Sequence, residues 1–228
     1  MNEIAISTVG VVVPACNEEE LLPPCLDALE RAMAAVPVPC WAVVVLDDCR
    51  DGSAAALAGR PHFLSVELQA RNVGRARAAG FETLLRLTAA TPPAQLWLAS
   101  TDADSTVPAD WLTVQLEYAQ QGFEVVLGTV QVDDWSVRPA AVARRFSARY
   151  KGGDGHPHVH GANMGMTASA YLGAGGMPPL ALSEDRQLAR NLAGRRVFSS
   201  GQIPVSTSAR ITARAKGGFA GYLNSLSS

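Results

Sequence analysis

Residues 8–18 read Thr-Val-Gly-Val-Val-Val-Pro-Ala-Cys-Asn-Glu, and residues 40–53 read Cys-Trp-Ala-Val-Val-Val-Leu-Asp-Asp-Cys-Arg-Asp-Gly-Ser. Each stretch is a continuous apolar run, rich in valine, that ends in polar residues. Strands that are buried on both faces of a parallel sheet have this pattern, whereas a strand with one solvent-exposed face alternates apolar and polar residues. We therefore predict buried strands over residues 4–13 and 41–46.

The rest of the first half alternates short apolar runs with helical patterns. Such alternation predicts βαβ units, and hence an α/β fold with a mostly parallel central sheet flanked by helices. Further strands are expected over residues 63–68, 95–100 and 124–130. Helices are expected over residues 18–35, 73–90 and 108–121, the last with Ser105 or Thr106 as its cap, and a short helix after Gly52.

The second half is less regular. Residues 151–161 and 173–179 are rich in glycine and favour loops, and residues 183–192 favour a helix that Ser183 would cap. The chain has 228 residues, a length that suits one domain, and it has neither an internal repeat nor a clear linker. We expect a single domain over residues 1–228.

Composition and charge exclude several classes of protein. Hydrophobic residues make up 48% and charged residues 18%, which is typical of a globular protein, and the net charge of −2 argues against a nucleic-acid partner. The four cysteines form no CxxC pair, which favours free thiols in a reducing compartment. The sequence shows no apolar run of membrane-spanning length and no leader pattern, so we expect no transmembrane segment and a cytoplasmic location.

Polar residues follow three of the predicted strands. Ligands of open α/β sheets bind beyond the carboxyl ends of the strands. The polar groups there are Asn17 and Glu18 after the first strand, a run from Asp47 to Asp51 after the second, and Asp102 and Asp104 after the fourth. One such residue, for example Asp51, is explained as well by a turn. Three strand ends that all carry carboxylates predict a binding site.

Asp102 and Asp104 are two positions apart. In an extended segment their side chains point the same way, and the two carboxylates repel each other unless a cation or hydrogen-bond donors lie between them. Magnesium typically combines one or two carboxylates with substrate phosphates. The pair therefore suggests a nucleoside diphosphate bound through Mg²⁺ or Mn²⁺.

Seven short motifs then follow one another in a recognisable order. In this order they resemble the motifs of family 2 glycosyltransferases over roughly residues 9–195. The motifs are Pro14-x-x-Asn-Glu, Asp47-Asp-x-x-Asp-Gly-Ser, Asn72-Val-Gly-Arg-Ala-Arg with Asp102-Ala-Asp104, Gly161-Ala-Asn-Met, Gly175-Gly-Met and Glu184-Asp-Arg-Gln-Leu.

The resemblance implies a fold and a reaction. The fold is the glycosyltransferase A-type, Rossmann-like fold, with about residues 1–130 binding the nucleotide sugar and about residues 131–228 binding the acceptor. The reaction is the inverting transfer of one sugar from a nucleotide-diphosphate sugar to an acceptor hydroxyl, with Mg²⁺ or Mn²⁺ as cofactor. The acceptor would be a small molecule, a glycan or a lipid-linked molecule. The sequence lacks the Gln-x-x-Arg-Trp motif of polymerising relatives, which favours a single addition.

The resemblance also implies site residues on the donor side. Asp104 would hold the metal, and Asp102 would bind the ribose or the metal shell. Arg75 or Arg77 would lie near the nucleotide. The base and ribose pocket would be lined by Pro14, Cys16, Glu18 and Asp48.

On the acceptor side, the resemblance makes Asp185 the general base, although an acid at this place also fits an ordinary first turn of a helix. His156, His158 and His160 occupy alternate positions and would share one face of an extended segment. Of these, His160 would complete the metal site, or the histidines would contact phosphate or the acceptor.

Two other functions fit parts of this pattern. A nucleotidyltransferase would share the sheet and the metal-binding aspartate, but it usually has a glycine-rich loop where this chain has Pro14-Ala-Cys-Asn-Glu. A non-catalytic sugar-nucleotide-binding module would keep the fold without the intact carboxylates. The basic C-terminal segment around Arg210, Arg214 and Lys216 would be a lid over the diphosphate or a solvated tail.

Overall fold

The computed structural model describes residues 4–212 and 218–227. These residues form an eight-stranded sheet with the strand order β3-β2-β1-β4-β7-β6-β8-β5. The strands are β1 (Thr8–Ala15), β2 (Cys40–Asp47), β3 (Phe63–Leu68), β4 (Leu96–Ser100), β5 (Ser105–Thr106), β6 (Val125–Gln131), β7 (Met164–Thr167) and β8 (Val197–Thr207).

Helices connect and cover the strands. The helices are α1 (Leu22–Ala34), α2 (Val73–Leu87), α3 (Trp111–Gln120), α4 (Ala140–Arg149), α5 (Ala168–Gly173), α6 (Glu184–Asn191) and α7 (Phe219–Ser225). Short 3-10 helices span Gly52–Leu57 and Pro93–Gln95. Across the described ranges, no helix combines the length and the apolar character that crossing a membrane requires.

The sheet is mostly parallel, as predicted. β1 pairs in parallel with β2 and β4, β2 with β3, and β6 with β8. β7 runs antiparallel to β4 and β6, and the short β5 runs antiparallel to β8. The carboxyl ends of β1, β2 and β4 therefore meet at one edge, which brings together the three polar strand ends.

The core lies on both faces of the sheet. Val11 and Val13 lie on the face of the sheet that α1 and α3 cover, whereas Val12 lies on the face that α2 covers. All three valines are fully buried. This two-sided burial explains why the strands are continuously apolar in sequence.

The predicted helix caps were wrong in both cases. Ser105 and Thr106 form β5 rather than a cap, and α3 begins later, after Asp110, without a side-chain cap hydrogen bond. Ser183 does occupy the N-cap position of α6, but its backbone is left-handed (φ 61°) and its side chain makes no capping bond. A capping side chain reaches the first turn from an extended backbone, which Ser183 does not have.

Five elements of the second half were not predicted: α4, β7, α5, β8 and α7. α4 and α7 pack against each other around a small separate core. Its buried members are Val142, Phe146, Ala209, Leu223 and Leu226. Ala209, which follows β8, belongs to this core, so the core connects α4 and α7 to the end of β8.

Candidate active site

Two adjacent aspartates end β2, and they have different environments. Asp47 is buried, and its carboxylate accepts three backbone N–H groups, from Ala70 (2.7 Å), Arg71 (2.9 Å) and Asn72 (2.8 Å). Asn72 in turn caps α2 by accepting the N–H of Arg75 at 3.0 Å. Asp47 therefore shapes the loop that starts α2 and is not available to a ligand.

Asp48 has a left-handed backbone (φ 53°), and its side chain lies at the open edge of the sheet. Its carboxylate pairs with Arg71 and, at 3.4 Å, with Arg50. The hydrogen bond from Arg71 lowers the pKa of Asp48 below its usual value. Asp48 is thus an ionised group in the place where the sequence predicts the base and ribose pocket.

The end of β1 contributes Glu18 to the same edge. Glu18 is buried, and both of its carboxylate oxygens accept from Nη1 of Arg210, at 2.7 and 2.9 Å. Its backbone N–H donates to Oγ of Ser53 at 2.7 Å, which ties the β1 and β2 strand ends together. Pro14 and Cys16 lie half-buried at this strand end. Asp51 has the turn role, because it accepts the N–H of Ser53 as the cap of the 3-10 helix.

The end of β4 carries the paired carboxylates. The Asp104 side chain is 13% exposed and pairs with Nη2 of Arg210 at 2.5 Å, whereas the Asp102 side chain is 35% exposed and pairs with Arg77. Burial raises the pKa of Asp104 to about 6, against the opposing effect of the Arg210 charge. Each carboxylate therefore has its own arginine, and Arg210 joins Asp104 to Glu18.

Arg77 lies at the centre of a buried network. Its Nε donates to Oγ of Ser100 at 3.0 Å, and its two terminal nitrogens contact Asp102 and Glu184. Burial alone would lower the pKa of Arg77, but the charges of Asp102 and Glu184 raise it. Arg75 is exposed on the first turn of α2. Of the two arginines left open by the sequence, Arg77 is therefore the one that meets Asp102.

Asp185 begins α6 next to this network. Its Oδ2 accepts the N–H of Gly161 at 2.9 Å, and its Oδ1 accepts the N–H of Arg186 at 2.7 Å. The side chain of its neighbour Glu184 is buried against Arg77. Asp185 is half-buried and forms no arginine pair among the described residues.

The three alternate histidines lie beside Asp185. Nε2 of His160 lies 2.9 Å from the Tyr150 hydroxyl, and burial lowers the pKa of His160 to about 4, so its ring is neutral near pH 7. His158 stacks on the Tyr150 ring with centroids 3.9 Å apart. A cavity of about 370 Å³ opens here, and its polar lining consists of His158, His160, Arg186 and Arg190.

The predicted metal ligands do not all come together. Within residues 4–212 and 218–227, no three His, Cys, Asp or Glu side chains are gathered to hold a metal ion, so His160 does not join Asp102 and Asp104 in a preformed site. Two carboxylates at one strand end still fit Mg²⁺ or Mn²⁺, because such ions complete their shell with phosphate and water oxygens. The Arg210 guanidinium already pairs with Asp104, which shows that this strand end attracts positive charge.

Arg138 holds Arg210 in place, and sequence reasoning missed it. Arg138 is buried just before α4 and donates to the carbonyl oxygens of Ala209 (2.5 Å) and Arg210 (2.6 Å) and to Asn224 (2.9 Å). It thereby fixes the backbone from which Arg210 reaches the carboxylates. Nothing local in the sequence signals this role. Arg214 and Lys216, the other basic residues of the predicted lid, lie outside the described residues.

A comparison with protein families matches residues 10–171 to the model described as glycosyl transferase family 2. The chain belongs to this family. The match contains the donor-side strand ends and Gly161, which contacts Asp185. The family resemblance seen in the sequence is thus confirmed.

A curated relative of this chain is named undecaprenyl-phosphate 4-deoxy-4-formamido-L-arabinose transferase, from Pectobacterium atrosepticum. It is 33% identical over 136 residues, which cover 56% of this chain and 38% of the relative. A second such transferase, from Pectobacterium carotovorum, matches equally well. The chain therefore spans well under half the length of these curated relatives.

Solved structures confirm the A-type fold. A mannosyltransferase from Pyrobaculum calidifontis, solved with GDP-Man and Mn²⁺, has a TM-score of 0.63 at 23% identity and covers 92% of this chain and 58% of its own. A glucosyl-3-phosphoglycerate synthase from Mycobacterium tuberculosis, solved with Mn²⁺, UDP and its product, has a TM-score of 0.57 at 16% identity and covers 90% and 73%.

Proposed function

We propose that this family 2 glycosyltransferase moves one sugar from a nucleotide-diphosphate sugar to an acceptor hydroxyl, with inversion and with Mg²⁺ or Mn²⁺. The observation that carries the proposal is the meeting of Glu18, Asp48, Asp102 and Asp104 at one sheet edge. Asp185 joins the same network through Glu184 and Arg77. Structural neighbours solved with a nucleotide and Mn²⁺ support it.

On the donor side, Asp104 and Asp102 would hold the cation. When bound, that ion supplies positive charge to the departing diphosphate. Asp48 would bind the ribose or base, with Pro14, Cys16 and Glu18 forming the wall at the end of β1. Arg77, fully buried, positions Asp102 rather than contacting the nucleotide itself.

Arg210 is the cation that this chain itself brings to the donor site. Its guanidinium lies between Glu18 and Asp104, where the diphosphate would approach. It is partly exposed and is anchored through its backbone by Arg138, so its side chain can exchange a carboxylate for a phosphate oxygen. We infer that Arg210 donates to the diphosphate and stabilises it as it leaves.

Arg210→Ala is expected to weaken binding of the donor nucleotide roughly 10- to 100-fold, the usual effect of losing a hydrogen bond to a charged group. Calorimetric titration with UDP and GDP in Mn²⁺ measures this affinity. The matched control is Arg31→Ala, which removes an exposed arginine of α1. An unchanged nucleotide affinity in Arg210→Ala would reject the assignment.

The two aspartates that end β2 are expected to respond differently to substitution. Asp48→Ala should weaken donor binding by a few kcal/mol at most and leave the melting temperature nearly unchanged, because its side chain lies at the open edge. Asp47→Ala should lower the melting temperature, because three buried N–H groups lose their acceptor. Thermal melts and nucleotide titrations of both variants test the pair. Equal effects of the two variants on both measurements would contradict it.

On the acceptor side, Asp185 would take the proton of the attacking hydroxyl. An inverting displacement needs its base on the face opposite the leaving group. The cavity beside Asp185 gives the acceptor a place with basic side chains. The curated relatives are named for transfer to undecaprenyl phosphate, which favours a lipid-linked acceptor over a small molecule or a free glycan.

The experiment that tests the function is a donor panel. UDP-, GDP- and dTDP-sugars are incubated with the protein and Mn²⁺, and the released products are identified. A glycosyltransferase releases a free nucleoside diphosphate. A nucleotidyltransferase instead consumes added pyrophosphate and forms a nucleoside triphosphate and a sugar 1-phosphate, and a non-catalytic module binds without release. Formation of a nucleoside triphosphate from added pyrophosphate, or binding of a nucleotide sugar without any release, would overturn the proposal. The cytoplasmic location and the division into donor and acceptor halves stay predictions.

A further inference from the structure

Positive charge is concentrated in one segment of a chain whose net charge is −2. Residues 135–153 contain five cationic residues and no Asp or Glu. They are Arg138, Arg144, Arg145, Arg149 and Lys151. The rest of the chain is correspondingly more acidic, and the overall net charge hides this difference.

α4 lies within this segment and presents its charges outward. Val142 and Phe146 are buried against Leu223 and Leu226 of the α7 unit. Arg144, Arg149 and Lys151 are exposed, and none of the three forms an ion pair with a described carboxylate. The apolar side of α4 packs on the protein, so its exposed arginines are what this helix presents to an anionic surface.

Exposed apolar side chains lie next to this helix. Val137 is 53% exposed, Ile211 57% and Tyr222 38%. They come from three separate segments that hydrogen bonds hold together. Arg138 donates to the carbonyl oxygens of Ala209 and Arg210, and Asn224 donates to the carbonyl oxygen of Ile211. Single exposed apolar residues are ordinary, but here three lie on the unit that carries the cations.

The same unit borders the candidate active site. Tyr150, at the end of α4, contacts His160 beside Asp185. Arg210, one residue from Ile211, reaches Glu18 and Asp104. A surface that covered α4 and Ile211 would therefore face the opening through which an acceptor enters.

We propose that Arg144, Arg149 and Lys151, together with Val137, Ile211 and Tyr222, form a face that docks on an anionic lipid surface. Here we call it the α4 face. The cations meet lipid headgroups, and the apolar side chains enter the interface between them. The purpose of this docking rests on the proposed function. A docked protein would hold Asp185 close to a lipid-linked acceptor.

Binding to vesicles measures docking without any turnover. The full chain is sedimented with vesicles of phosphatidylglycerol and phosphatidylcholine, and with vesicles of phosphatidylcholine alone. We expect binding to the anionic vesicles only, and release at 0.5 M salt, where exposed charges are screened. Each cation at such a surface contributes roughly fivefold in affinity.

The decisive variant is the double substitution Arg144→Glu/Arg149→Glu, which should reduce vesicle partitioning at least about 30-fold. Its matched control is Arg31→Glu/Arg86→Glu, which reverses two exposed arginines on α1 and α2 and should bind as the wild type does. Val137→Ser/Ile211→Ser should reduce binding several-fold without changing its salt dependence. The rate at which nucleoside diphosphate is released with a water-soluble acceptor should be unchanged in the Arg144/Arg149 variant.

Equal vesicle binding by the charge-reversed variant and its control would overturn the proposal. So would binding of the wild type to a short DNA duplex but not to anionic vesicles, since the face would then serve nucleic acid. A protein that binds vesicles through this face but fails the donor panel would refute the proposed function alone. A protein that transfers sugar but does not bind vesicles would refute only the proposed docking of the α4 face.

Discussion

Asp104→Asn is expected to lower the rate of sugar transfer at least about a thousandfold and to leave the fold intact. Asp104 is the less exposed of the two carboxylates that end β4, and in this structure its counter-charge is Arg210. The amide keeps the shape of the side chain but carries no charge, so it holds neither a divalent ion nor the arginine firmly. Removal of one charge-stabilising group typically costs about 10²–10³ in rate, and loss of the metal adds to this.

Release of nucleoside diphosphate across a Mn²⁺ series measures the effect, and a thermal melt checks the fold. Asp110→Asn is the matched control, because Asp110 is an exposed acid just before α3 and makes no side-chain cap. Excess chelator should lower the activity of the wild type as much as the substitution does. Full activity in chelator, or a wild-type rate in Asp104→Asn, would refute the metal role of this strand end.

The fold could be predicted wherever the apolar pattern was continuous. β3 was predicted with its observed bounds, Phe63–Leu68, and β1, β2 and β4 were found close to theirs. α4 was missed because only Val142 and Phe146 are buried along it, which is too sparse for a helical pattern. β8 was missed because Gly201 and Pro204 interrupt it, and both residues argue against a strand in sequence.

The sequence also found the location of the candidate site, since carboxylates after parallel strands meet at one edge. It could not assign neighbouring residues to different roles. Asp47 and Asp48 look equivalent in a sequence motif. In the structure the Asp47 side chain points inward to backbone N–H groups, whereas Asp48, with its left-handed backbone, points outward to Arg71. Arg75 and Arg77 are two positions apart on a helix, so they point to nearly opposite sides.

Long-range contacts were beyond the reach of local patterns. Arg210 meets Glu18 across 192 positions of sequence, and Arg138 fixes the Arg210 backbone from 72 positions away. Both contacts depend on the packing of α7 against α4, which no local periodicity describes. The basic C-terminal segment was noted in the sequence, yet its partner carboxylates are identified only by the fold.

Asp185→Asn is expected to lower the rate of transfer about 10²–10⁴-fold while leaving donor binding unchanged. A hydroxyl is a poor nucleophile near neutral pH, and Asp185 is a half-buried carboxylate next to Arg186, which lines the cavity proposed for the acceptor. Asparagine can still accept the N–H of Gly161 through its oxygen, so the loop should keep its place. What is lost is basicity, and the loss should lie in kcat rather than in the KM of the donor.

Single-turnover transfer and nucleotide titration separate these two quantities. Glu117→Gln is the control, because it makes the same change from carboxylate to amide at an exposed position of α3 that is not part of the cavity lining. Slow hydrolysis of the donor should survive in Asp185→Asn, because water needs less exact placement than an acceptor. A wild-type transfer rate in Asp185→Asn would assign the base to His160 or Glu184, and His160→Gln would then decide between them. Since Glu184 is buried against Arg77 and the ring of His160 is neutral near pH 7, His160 would be the stronger of these two candidates.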